Sequence, residues 1–377
     1  MAKSISIQGG FSLKQKIIYI NWGLVLLIIF LSSIGFAALY SAAGGSFHPW
    51  ASRQMMRFSV FLVGMIVMAL IDIRYWQRLS YVCYAIGFLL LLIVEIKGHI
   101  GMGAQRWINL GVIKLQPSEL MKIVVIMALA RYFHAAPLED MKRISFLIPP
   151  ALMILAPVAL VLLQPDLGTS LMIVMAGVAV FFVAGAPAWL FIGGIGATAA
   201  IIPLAWHFGL HNYQKQRILT FLHPEDDPLG AGYHITQSKI ALGSGGIEGR
   251  GFLKGTQSHL NFLPEKQTDF IFTLWAEEWG LIGGLLILGL FALAFLYTAW
   301  IAFRCRHGYG RLLAFGLMVN LSLYVFINVA MVMGLIPVVG APLPLISYGG
   351  TAMMAVMIGF GLIMSCNIYK DSKLPRI

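Results

Sequence analysis

Few side chains in this sequence are able to do ionic or acid–base chemistry, and those few fall in clusters. Residues 116–122 read QPSELMK: Pro117 suits the first turn of a helix, and Glu119 stands where free backbone N–H groups are exposed. Lys122 is three residues further along the same face, so Glu119 either caps the helix or pairs with Lys122, and the lysine either closes that pair or faces an anionic ligand. Gln164-Pro165-Asp166 repeats the Gln-Pro-acid pattern at another helix start, where the macrodipole favours a carboxylate. Residues 264–269 read PEKQTD and run directly into Phe270-Ile271-Phe272. If Thr268 caps that helix, Asp269 lies in its first turn, as a dipole-stabilised carboxylate or as a general base at the edge of the membrane. Glu277-Glu278 sits two turns on inside an apolar run, where a structural hydrogen bond is expected. Arg53, Arg57 and Arg106 lie beside Trp50 and Trp107, as interfacial anchors or as bidentate partners of phosphate.

The elements that must hold these groups are membrane helices. Of 377 residues 59% are apolar and 11% charged, where a soluble domain has about 25% charged; mean hydropathy is +0.84. Ten apolar runs follow, over 21–40, 58–73, 79–96, 120–133, 145–163, 170–185, 189–210, 270–303, 312–334 and 352–364. The fourth and tenth are short and should begin a turn earlier. The first, preceded by Lys3, Lys14 and Lys16, is too long for the core of a cleaved signal peptide and reads as a retained helix. The expected fold is therefore an all-α polytopic membrane protein of about ten transmembrane helices, a single domain over 1–377 with both termini on one side.

Charge sets the orientation. With the termini cytoplasmic, fourteen of the 26 basic residues fall in inner segments and five in short outer loops, as the positive-inside rule requires. Six more, Lys215, Arg217, Lys239, Arg250, Lys254 and Lys266, fall in residues 211–268, a long extracytoplasmic loop between the seventh and eighth helices. A loop of such length is usually functional. Within it 233–242 has helical spacing and ends at Gly243, and six glycines crowd between 243 and 255, for close backbone approach to a ligand or for tight turns. Residues 335–351, LIPVVGAPLPLISYGGT, have the prolines and glycines of a re-entrant or broken-helix element in which Ser347, Tyr348 and the backbone donate hydrogen bonds.

Other classes are excluded. The net charge of +11 is scattered between apolar runs, which does not suit nucleic acid. Three cysteines form no CxxC pair and nine histidines no HExxH, so there is neither a disulfide framework nor a zinc motif. The glycines fit no dinucleotide or Walker loop. Acids, Arg and Lys gather at the outer face, whereas a transporter spreads ionisable groups towards the midplane; chemistry at the outer leaflet is favoured over transport.

At these segments the sequence resembles the SEDS family (shape, elongation, division and sporulation), the RodA/FtsW/SpoVE group of ten-helix bacterial membrane proteins, over nearly its whole length. The carriers are 104–110 (AQRWINL), 116–122 (QPSELMK), 164–169 (QPDLGT), 243–246 (GSGG), 263–272 (LPEKQTDFIF) with Glu277-Glu278, and 342–350 (PLPLISYGG). GTQSHL at 255–260 and VVGAPLP at 338–344 are closer to the RodA branch than to FtsW. Gln105, Trp275 and Trp279 depart from the usual pattern. The resemblance implies a peptidoglycan glycosyltransferase that polymerises lipid II at the outer face of the bacterial cytoplasmic (inner) membrane during elongation, with a class B penicillin-binding protein as transpeptidase partner beside other elongation-complex proteins. It implies Asp269 as the catalytic carboxylate and Arg53, Arg106, Glu119, Lys122, Asp166, Gln257 and Glu265 as substrate-binding positions. Arg106, Lys122 or a divalent cation (Mg or Mn) would neutralise the leaving pyrophosphate, and no organic cofactor is expected. The alternatives are a lipid II flippase and a non-catalytic scaffold for cell-wall synthases.

Overall fold

The computed structural model describes residues 12–101, 104–109, 114–137, 139–209, 212–223, 231–260 and 265–376. Lys3, and Leu263 and Pro264 of the acidic motif, lie outside them. The ten apolar runs all become helices. After a short α1 (Leu13–Tyr19), started by a capping box between Ser12 and Gln15, come α2 (Trp22–Ala42), α3 (Ala51–Leu70), α4 (Ile73–Lys97), α5 (Pro117–Ala135), α6 (Ile144–Leu163), α7 (Leu167–Ala184) and α8 (Ala188–Leu204). The long loop folds into α9 (Asn212–Leu222), α10 (Ala231–Gly245) and α11 (Thr256–His259), and α12 (Ile271–Arg304), α13 (Gly308–Val332) and α14 (Gly350–Ile368) complete the chain. Among the described residues eight helices are long and apolar enough to cross a membrane; α5, with its three charged residues, and α8, 17 residues long, are the other two of the ten expected runs. The chain is a multi-pass membrane protein.

As expected, α5 and α14 start a turn before their apolar stretches, at Pro117 and Gly350. Three boundaries differ from expectation. Arg53 and Arg57 belong to the first two turns of α3 rather than to a loop. Three short strands, β1 (His99–Gly101), β2 (Ala104–Asn109) and β3 (Lys114–Leu115), form a small antiparallel sheet in the order β1-β2-β3, which the apolar-run reading does not contain. Thr268 does not cap α12: its hydroxyl donates to Glu265 at 3.1 Å, Phe270 is the N-cap, and Asp269 precedes the helix instead of lying in its first turn.

Both described chain ends lie at one end of the bundle. The Lys16 ammonium and the Tyr369 hydroxyl each donate to the Leu70 carbonyl at 3.1 Å, and Asn367 donates to the Tyr19 carbonyl at 2.9 Å. The opposite, loop end carries the sheet, α9–α11 and the segment between α13 and α14. That segment is irregular, as its prolines require, and it enters the bundle: a β-carbon on Gly35, in the middle of α2, would lie 2.7 Å from the Ile346 Cα. Most of the α13 side chains are buried, whereas none of those on α8 is. Between α7, α8 and α13 lies an open apolar cavity of about 730 Å³, bordered by Val178, Phe182, Phe191 and Val319 among others.

Candidate functional site

Two groups of polar side chains occupy the loop end, and α13 joins them. The first is built on the starts of α5 and α7. Pro117 opens α5 and sets Glu119 in its first turn, yet the Glu119 carboxylate caps nothing. It takes the Lys122 ammonium at 2.7 Å and the hydroxyl of Tyr324 from α13. Lys122 is 1% exposed and stands over the Tyr324 ring, 4.1 Å from its centre. A buried ammonium needs such an arrangement, because leaving water costs far more than a screened surface pair returns. The i,i+3 spacing thus makes an ion pair, with the lysine directed inward.

Asp166 caps α7, accepting the Thr169 N–H at 3.1 Å, and also pairs with Arg106 at 3.6 Å. Strand β2 presents this arginine, whose guanidinium donates to the carbonyls of Gln164 (3.1 Å) and Pro165. The two Gln-Pro-acid motifs touch where Gln116 donates to Asp166 at 3.5 Å.

One turn along α13 from Tyr324 is Asn328, and it belongs to the second group. Its amide donates to the backbone carbonyl of Asp269 at 2.9 Å and to that of Ala341 at 2.7 Å. The same turn, 265–270, is held again through the neighbouring carbonyls: Tyr348 N–H donates to Gln267 O at 2.8 Å, and Ser347 Oγ to Thr268 O at 2.6 Å. Ser347 also accepts from Leu343 N–H and, through its carbonyl, from Gln54 Nε2. The expected donors of the re-entrant segment thus fix the backbone of the turn that carries Asp269.

The Asp269 side chain is treated differently from its backbone. Among the described residues none donates a hydrogen bond or forms an ion pair with its carboxylate, and Oδ2 faces the bare α-carbon of Gly340, where a β-carbon would come within 3.4 Å. Burial pushes its pKa up to about 6; the charge of Glu265 adds to the rise and Arg217 opposes it. A helix N-terminus would have lowered the pKa, but Asp269 stands before the helix.

Glu265 is exposed and sits at φ +51°, its carboxylate accepting from Gln267 and Thr268 at 3.1 Å. Gln257 lies in α11, its backbone N–H bonded to Glu277 at 2.8 Å. Arg57 stacks on the Tyr348 ring, 5.0 Å from its centre, and Arg53 lies one turn earlier on α3, exposed. The structure thus brings Arg106, Glu119, Lys122 and Asp166 into one group and Glu265 and Asp269 into another, with Arg53 and Gln257 in neither.

Tyr324 and Asn328 escape the sequence reading, and Arg217 enters it only as one of the basic residues of the long loop. The first two carry a signal, since Asn320, Tyr324 and Asn328 recur every fourth residue on one face of a run that is apolar apart from Ser322. Arg217 donates to the Val338 carbonyl at 3.2 Å from α9.

Among the described residues no group of three or more His, Cys, Asp or Glu side chains is placed to hold a metal ion. Of the two carboxylates in the 265–270 turn, that of Glu265 is already engaged by Gln267 and Thr268.

A family model for cell cycle proteins of the FtsW/RodA/SpoVE type matches residues 14–372. The peptidoglycan glycosyltransferase MrdB of Escherichia coli (strain K12) is 45% identical over 350 residues, 92% of this chain and 93% of that protein. A chain solved in a peptidoglycan synthase complex that coordinates polymerization and crosslinking superposes with a TM-score of 0.83 at 32% identity, over 94% of this chain and 99% of that one. The crystal structure of the rod shape determining protein RodA of Thermus thermophilus gives a TM-score of 0.71 at 28% identity, over 94% and 98% of the two chains.

Proposed function

The chain belongs to the FtsW/RodA/SpoVE family, and on that footing we propose that it is a peptidoglycan glycosyltransferase of cell elongation, polymerising lipid II, with Asp269 as its general base. The loop end faces outward from the cytoplasmic membrane in this reading, with the basic terminal end inside.

The reaction joins the 4-hydroxyl of an incoming lipid II sugar to the anomeric carbon of the growing strand and expels undecaprenyl pyrophosphate. The base must take the hydroxyl proton as the new bond forms. A carboxylate with a pKa near 6 remains mostly ionised at neutral pH while holding a proton more firmly than an ordinary aspartate. The observation that carries the assignment is the contrast within one residue: the Asp269 backbone is bonded to Asn328 and braced at both preceding carbonyls, while its carboxylate is committed to no described partner.

Arg106, already beside Asp166, and Arg53 and Arg57 at the start of α3 supply positive charge for the pyrophosphate. Lys122 is paired with Glu119, so it acts on an anion only if that pair opens. Gln257 and Glu265 are the proposed contacts of the sugar. A Mg²⁺ or Mn²⁺ ion arriving with the substrate phosphates would neutralise pyrophosphate charge. A class B penicillin-binding protein is the cross-linking partner in this reading; the similar solved chain comes from a peptidoglycan synthase complex that coordinates polymerization and crosslinking.

The test is glycan synthesis from lipid II, read on gels, by the full-length protein purified with that partner. Glycan strands should form with the wild type and disappear with Asp269→Asn. Strands made equally well by Asp269→Asn would remove the assignment, and lipid II crossing liposome membranes without any strand synthesis would replace the enzyme with a flippase.

A further inference from the structure

The glycines between 243 and 255 and the pair Glu277-Glu278 take no part in the chemistry above, yet they meet. α12 is broken at Gly280, whose φ of +64° and ψ of −160° only glycine adopts freely. The N–H groups released at the break, on Leu281 and Ile282, donate to the carbonyls of Gly246 (2.9 Å) and Ile247 (3.2 Å). In return Arg250 and Gly251 donate to the carbonyls of Glu277 and Glu278, each at 3.0 Å. The glycines permit this contact: a β-carbon on Gly249 would lie 2.1 Å from the Glu278 carbonyl oxygen, and one on Gly245 2.3 Å from that of Ala276. The close backbone approach that the glycines signal is to α12 itself.

The two carboxylates extend this seam. Glu278 accepts from Leu253 N–H at 3.2 Å and from the Ser41 hydroxyl. Glu277, 0% exposed, accepts from Gln257 N–H (2.8 Å), Ser258 N–H (3.1 Å), Ser258 Oγ (2.6 Å) and Thr256 Oγ1 (3.4 Å). A buried carboxylate that receives this many donors holds them in a fixed geometry. The carbonyl of Ser258 then accepts the Lys266 ammonium at 2.7 Å, and Lys266, itself buried, belongs to the turn that ends at Asp269.

We propose that Glu277 is a positioning residue for Asp269: acting through Ser258 and Lys266, it holds the 265–270 turn from the side opposite Asn328 and limits the access of water to the half-buried carboxylate. Asn328 and the re-entrant segment hold the inner side. The charges that act on Asp269 are those of Glu265 in its own turn and Arg217 from α9; α13 and the Gly340 segment present the neutral Asn328 and a bare backbone. The proposal rests on the reading of Asp269 as the base.

The test is the pH profile of lipid II polymerisation by the full-length protein purified with its partner. Glu277→Ala and Lys266→Met should each lower kcat about tenfold or more with KM changed less than about threefold. In both, the acid limb of the profile should move down by about one pH unit, because water then reaches Asp269. Ser258→Ala, which deletes only the hydroxyl bond, should shift the limb the same way by less. It keeps the question open should Glu277→Ala fail to fold. Loss of activity with an unmoved acid limb would make Glu277 merely structural, and a wild-type profile for Lys266→Met would break the proposed route. An active Asp269→Asn would remove the underlying reading instead, so the two failures are separable.

Discussion

Glu119 and Asp269 are both acids at the loop end, linked through residues one turn apart on α13, and their side chains are treated in opposite ways. Tyr324 binds the side chain of Glu119, whose other oxygen is paired with Lys122. Asn328 binds the backbone of Asp269 and leaves its carboxylate alone. The first arrangement uses a carboxylate to make burial of a lysine tolerable; the second uses the protein to make a carboxylate reactive. A half-buried acid is therefore a candidate for chemistry when the scaffold grips its main chain and spares its oxygens.

That contrast can be broken by exchanging the two phenotypes. Asp269→Asn should lower polymerisation about 10²- to 10⁴-fold, the range of a general base. It should also raise the melting temperature at neutral pH. The pKa of Asp269 in the folded chain, about 6, lies above the ordinary 3.8, so the folded state loses stability as pH rises through 6, and asparagine escapes that loss. The gap in melting temperature between variant and wild type should close below about pH 4. Glu119→Gln should do the reverse, costing about 3–5 kcal/mol of stability because the Lys122 ammonium is left buried and alone. Thermal unfolding in one detergent checks both, and Glu119→Gln combined with Lys122→Met should recover most of the loss.

Smaller changes sharpen the same comparison. Arg217→Ala removes the cation that opposes the rise in the Asp269 pKa, so the acid limb of the rate profile should move above 6. Asp166→Ala removes the α7 cap and should cost about 1 kcal/mol, visible as a modest drop in melting temperature. If Asp166→Ala were to abolish synthesis in a folded protein, the first group would have to be counted as part of the chemistry.

Sequence alone goes far with the helices and stops at the joints between them. Ten apolar runs announce ten helices because lipid demands them, and Glu119–Lys122 and the Asp166 cap are local enough to follow from spacing. The break at Gly280 is not legible, because the donors and acceptors that replace its helix bonds come from residues 246–251, some thirty positions away. The availability of Thr268 as a cap places Asp269 in a first turn; in the fold Thr268 turns back to Glu265 and the helix starts later. The small sheet at Arg106 hides for a related reason: its strands are short and pair across residues that no helical pattern marks. Tyr324 and Asn328 were in plain view at helical spacing, but a polar residue in an apolar run discloses its partner only when the partner's helix is in place.

α8 has a different kind of neighbour from the rest of the bundle. None of its side chains is buried by protein, and the cavity of about 730 Å³ beside it opens between α7 and α13. Phe191 meets Phe182 of α7 edge to face, 5.8 Å between ring centres, but most of the remaining α8 surface is exposed and in a membrane would face acyl chains, so its solvent would also be its scaffold. Lipid composition thus belongs among the determinants of this fold at α8 in a way it does not at α13, and stripping the annular lipid during purification would loosen that one helix while leaving the polar groups of the loop end assembled.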